Sequence, residues 1–186
     1  HRDLHSFPTR RSSDLIVVAW IDQESMDHLR RMGVPFPWPR SVYEQAARYA
    51  LQGGARAIVF DILFSEPGAV AADDREFGKF LGAAGGAVNA FKFVEFREGG
   101  FTPEETEAFR ARGLDLDGLP ARRAGPGFVL PIPEIEKPSA RLGFVNVRPD
   151  LDKVHRGYDL VRTWNGAVYP SLALAEIGRA SCRERV

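Results

Sequence analysis

Between Ala57 and Phe64 the chain reads "AIVFDILF", an apolar run broken by a single carboxylate, Asp61. Gly53 and Gly54 precede it and "SEPG" follows it. An apolar run of this length between turn-forming residues is the pattern of a strand buried on both faces, as in a parallel sheet covered by helices. An unpartnered carboxylate inside such a strand is costly, so Asp61 must have a partner, reach water or serve a function.

The segment before this run supplies the rest of a folding unit. "IVVAWID" (16–22) is another apolar run ending in an acid, and a short helix or turn is expected over the polar residues after it. Ser41 and Glu44 have the spacing of a capping box, and Val42, Ala46 and Tyr49 share one helical face. Strand, helix and strand with short joints predict a right-handed βαβ crossover and a parallel pair. With strands about 4.8 Å apart, Asp22 and Asp61 would lie within roughly 10 Å at the carboxyl edge of the sheet. Asp61 is then expected to be buried along its strand and satisfied at its tip. Arg40, Arg148 and loop amides would neutralise the floor of a polar crevice.

Farther on, Asp73 and Asp74 place negative charge at the start of a helix that Gly85 and Gly86 stop. "AVNAFKFVEF" (87–96) reads as a strand, and "TPEE" (102–105) is a capping box with proline at the first helical position. Residues 113–138 are rich in Gly, Pro and Arg and predict an irregular excursion. "RLGFVNV" (141–147) returns to strand pattern. "VHRGYDLVRTW" (154–164) alternates up to Asn165-Gly166, a tight hairpin turn. The predicted fold is α/β: a central mixed, largely parallel sheet flanked by helices, with a C-terminal antiparallel hairpin.

The two ends are of another kind. "HSFPTRRSSD" (5–14) and "IGRASCRERV" (177–186) can be encoded by the two complementary strands of one DNA segment, recognisable as a sequencing adapter. Residues 1–15 and 177–186 are therefore expected to be adapter-derived. Residues 16–176 would form one domain, truncated at its C-terminal end. The single cysteine, Cys182, falls in the second of these ends, and so do several arginines that imitate a basic tail. "HRDL" at the start imitates a kinase catalytic loop, without a glycine-rich loop or "DFG" to support it.

Charge narrows the partners. Lys and Arg number 25 and Asp and Glu 25, with no basic stripe, which argues against nucleic acid. No apolar run is long enough to cross a bilayer. "FDILFS" lacks the second Asp of a haloacid-dehalogenase motif, since Leu63 stands there, and His28 and His155 are too isolated for metal-ligand spacing. No catalytic residue, metal site or cofactor is therefore expected. The candidate ligand-binding residues are Asp22, Arg40, Asp61 and Glu66, with Asn146 and Arg148 from "GFVNVRPDLD". The favoured reading of Asp22 and Asp61 is structural: each caps a nearby loop or helix or pairs with an arginine.

"IVVAWIDQES", "PWPRSVYEQ", "GARAIVFDILFSEP", "GFVNVRPDLDKVHRG" and "YPSLALA" occur in the order and spacing of the second type of CHASE domain, which residues 16–175 resemble. Gln23 stands where an acid often follows Asp22, and 97–127 is longer than typical. The resemblance implies an extracytoplasmic sensory domain, non-enzymatic itself, of a cyclase, histidine kinase or related receptor. It would be anchored by flanking membrane helices and bind a small ligand or periplasmic partner, with a homodimer as one assembly open to the parent receptor. The alternative is a metal-dependent α/β hydrolase or phosphatase-like enzyme using Asp61.

Overall fold

The computed structural model describes residues 16–85, 87–96, 100–114, 121–147, 152 and 157–175. Both expected adapter-derived ends, together with Arg148 and His155, lie outside them. The chain divides into two compact units, His1–Trp38 and Pro39–Val186.

In the first unit, helix α1 spans Gln23–Arg31. Asp22 is its N-cap, accepting from the backbone N–H of Ser25 at 2.8 Å and from the Ser25 hydroxyl at 2.6 Å. These two bonds hold the Asp22 carboxyl below its usual range, the hydroxyl bond most strongly. The expected strand over 16–22 is not formed. Ile16, Val17, Val18 and Trp20 are exposed and the segment has no regular structure. Apolar, β-branched composition favours a strand only where a neighbouring strand accepts the ladder, and none among the described residues pairs with 16–22.

The second unit is α/β, with parallel and antiparallel pairing. Helix α2 (Arg40–Gln52) leads to strand β1 (Ile58–Phe60), helix α3 (Ala71–Ala84) and strand β2 (Ala87–Val94). Helix α4 (Pro103–Arg110) follows, then strands β3 (Arg122–Arg123) and β4 (Gly127–Val129) and the short helix α5 (Pro133–Glu136). Strands β5 (Arg141–Phe144), β6 (Val161–Trp164) and β7 (Ala167–Pro170) complete the order, and residues 172–175 are helical. β1 and β5 both pair parallel to β2, and β4 pairs antiparallel to its distal half. β6 lies between β3, to which it is parallel, and β7, to which it is antiparallel.

Local signals decided several of these elements. Thr102 and Glu105 form the expected capping box on α4, at 3.1 and 2.9 Å. Asn165 and Gly166 both have positive φ, 47° and 81°, as the tight β6–β7 turn requires. Gly85 ends α3 in the left-handed conformation. The capping box predicted at Ser41 is absent. Pro39 is the N-cap, so α2 starts two residues earlier, and Glu44 instead pairs with Arg48 at 2.7 Å. The Ser41 N–H is met from another element, by Asp73 of α3 at 3.2 Å.

Strand β2 carries the core. Phe91 and Phe93 on one face pack with Phe109, Phe128, Phe144 and Tyr169, while Val88 and Ala90 on the other meet Leu172 and Ala175. Asn89 is fully buried in this strand and donates to the Ser139 hydroxyl at 2.9 Å, which donates in turn to the Ile135 carbonyl. The single Ser139 proton is spent on that carbonyl, so the Asn89 amide must present its NH2.

Candidate functional site

β1, β2 and β5 run in one direction, so the residues just past their ends share the carboxyl edge of the sheet. These are Asp61, Glu95 and Asn146. In open α/β sheets this edge is where ligands bind. Beside Glu95 and Asn146 a cleft of about 570 Å³ opens, walled also by Arg122, Arg123, Gly125 and Arg162.

Arg162 is the ordered member. Its Nε and Nη2 lie 3.0 and 2.9 Å from Asp159, and its guanidinium sits 5.1 Å above the Phe144 ring. Arg122 stands opposite Arg162 in the β3–β6 register, and Arg123 follows it opposite Thr163. Both β3 arginines are exposed, and no carboxylate among the described residues forms an ion pair with either. Gly125 lets the chain pass close to the end of β2: a Cβ there would lie 2.6 Å from the Val94 carbonyl and 3.3 Å from the Glu95 carboxylate.

Asn146 has a structural task. Its Oδ1 accepts from the Phe93 N–H at 2.7 Å and its Nδ2 donates to the Phe93 carbonyl at 2.8 Å. The side chain thus extends the β2 hydrogen-bond ladder past the end of β5. It forms part of the cleft wall with its amide already committed.

Asp61 is exposed, not buried along its strand as expected, because β1 ends at Phe60 and the carboxylate lies beyond the covered part of the sheet. It makes no hydrogen bond or ion pair among the described residues. It lies close enough to Tyr158 to affect it electrostatically. Tyr158 stacks on Phe144 at 6.4 Å and donates to the Phe144 carbonyl at 3.3 Å. Burial pushes its phenol up from the ordinary value, the Asp61 charge adds to this, and a Ser171 hydrogen bond and Arg162 oppose it. Arg162 therefore belongs both to the cleft wall and to the surroundings of Tyr158.

Arg40, predicted at the crevice, is instead a buried clasp. Its Nε meets Asp74 at 2.8 Å, its Nη2 donates to the Glu66 carbonyl at 2.6 Å, and it lies over the Phe64 ring at 4.7 Å. Asp74 also accepts from the Gly68 N–H at 2.8 Å, which fastens the 65–68 loop to α2 and α3. The Glu66 side chain points to solvent. Asp22 caps α1 in the other unit, where a shallow depression of about 430 Å³ also contains His28. Asp22 and Asp61 do not share a parallel strand pair, since 16–22 is not a strand.

Sequence reasoning missed Glu95, Arg122, Arg123, Tyr158 and Arg162. The one available signal was the doubled arginine in the Gly- and Pro-rich excursion. No group of three or more His, Cys, Asp or Glu residues among the described residues could hold a metal ion, and no helix there is long and apolar enough to cross a membrane.

No curated protein and no solved structure matches the chain. The family model of the CHASE2 domain matches residues 2–184. That family comprises extracellular sensory domains of membrane receptors. With nearly its whole length matched, the chain belongs to the CHASE2 domain family.

Proposed function

We propose that this chain is the extracytoplasmic input module of a membrane-bound receptor and that its ligand binds in the cleft at the carboxyl edge of β2 and β5. One observation supports the choice of site: two exposed arginines, Arg122 and Arg123, line a cleft at the sheet edge, and among the described residues neither is ion-paired with a carboxylate, Glu95 on the same wall included. A ligand there would touch Arg122, Arg123 and Arg162 of the small sheet and Glu95 beyond the larger one. It would favour whichever spacing of the two sheets gives it more contacts. The output domain would be switched by that difference in affinity, passed through flanking membrane helices.

Placement outside the membrane is tested by labelling intact cells that express the parent receptor. A Glu66→Cys variant should react with a membrane-impermeant maleimide above the level of the unsubstituted receptor, since Glu66 is exposed. Labelling only after the cells are permeabilised would overturn the reading.

A further inference from the structure

We infer that the cleft takes a small organic oxyanion, a carboxylate or a phosphate ester, on Arg122 and Arg123, with a hydrogen-bond-donating group of the same ligand on Glu95. The inference rests on the reading of this cleft as the ligand site.

Charge balance is the first argument. Arg40, Arg48, Arg110, Arg112 and Arg162 of the same unit each meet a carboxylate within 3.6 Å. Arg122 has none among the described residues and lies directly opposite Arg162, an arrangement of like charges that costs stability. Asp159 relieves Arg162, whereas Arg122 and Arg123 both line the cleft with no ion pair among the described residues. A planar guanidinium fork matches the two oxygens of a carboxylate or phosphoryl group, so an oxyanion would remove the like-charge cost and gain charge-assisted bonds.

Size and shape are the second. The cleft, at about 570 Å³, lies in the range that holds a small molecule. Glu95 on its wall makes the site unfavourable for a polyanion. The same carboxylate can accept from an ammonium or hydroxyl at the far end of the ligand. Asn146, already bonded to Phe93, adds a fixed wall and not a donor.

Isothermal titration of the full chain at low salt tests this with four probes: malate, glutamate, glycerol 3-phosphate and inorganic phosphate. At least one should bind, more weakly as salt rises. An Arg122→Gln/Arg123→Gln variant should lose about tenfold or more in affinity at a Tm no lower than the parent's, the loss of a charge-assisted pair. An Arg56→Gln/Arg75→Gln variant, with the same change of net charge away from the cleft, should bind as the parent does. Comparing the carboxylates with the phosphates identifies the oxyanion. Glu95→Gln should weaken malate, glutamate or glycerol 3-phosphate but not inorganic phosphate. Binding of none of the four probes, or equal binding by the parent and the Arg122→Gln/Arg123→Gln variant, would overturn the inference. The readout needs no membrane, so it can fail while the labelling of intact cells succeeds, and the reverse.

Discussion

Arg122 and Arg162 stand directly opposite one another across the β3–β6 pair, and among the described residues only Arg162 is paired with a carboxylate. Asp159 holds Arg162 in place, so the two arginines do not contribute equally to stability. Arg122→Gln should leave the domain as stable as before or more stable by up to about 1 kcal/mol, since it removes a like-charge pair. Asp159→Asn should destabilise it by about 1–3 kcal/mol, because a largely buried guanidinium loses its charged partner. Urea denaturation of the two variants measures both. Equal losses would show that Arg122 is itself held by native contacts.

Asp61 and Tyr158 form a pair that can be read by titration. A phenol whose folded pKa is raised contributes stability that is complete below its unfolded value, 10.0, and is lost as pH climbs through the folded value. Asp61→Asn removes the second cause of the shift and leaves burial, the first. Tyr158 should therefore ionise at a lower pH in the variant but still above the ordinary value. Absorbance at 295 nm, taken as the difference between variant and parent, follows this. An unchanged curve would place Asp61 out of range of Tyr158.

The Arg40–Asp74 clasp is buried at both ends, with side-chain exposures of 11% and 4%. Asp74→Ala should cost about 3–5 kcal/mol, toward the lower end because Arg40 keeps the Glu66 carbonyl. Arg40→Met/Asp74→Leu should cost less than the two single substitutions added together, since neither charge is left unpaired. Chemical denaturation of the three variants supplies the cycle. Strict additivity would mean that the two side chains do not act as a pair.

Two glycines of α3 should respond in opposite directions. A Cβ on Gly78 would collide with the Glu134 carbonyl of α5, whereas one on Gly82 would make ordinary contact with Pro138 at 3.5 Å. Gly78→Ala should destabilise by about 1–3 kcal/mol through overpacking. Gly82→Ala should stabilise by up to about 1 kcal/mol through helix propensity. Thermal melts decide, and a loss of stability in Gly82→Ala would show that Pro138, just after α5, packs closer to the helix there.

The sequence by itself determined the elements whose cause lies within a few residues. Thr102 and Glu105 cap α4 because both partners sit in its first turn. Asn165-Gly166 turns the hairpin because those two residues tolerate positive φ. The two-residue period of β2 decides which of its residues face each core cluster, and the motifs from Ile16 to Ala175 carried the family resemblance. Tertiary structure alone decided what depends on a distant partner. Ser41 is capped by Asp73 from another helix, and Arg40 is drawn into Asp74 and away from any crevice. Asp61 is exposed because β1 stops one residue before it. Arg122 and Arg123 lie in a stretch with no periodicity to read. Arg122 and Arg162 meet only through strand register, a pairing between residues far apart in the chain. Hydrogen bonds within one turn are specified by local spacing, whereas burial and charge pairing depend on which surfaces the folded chain brings together.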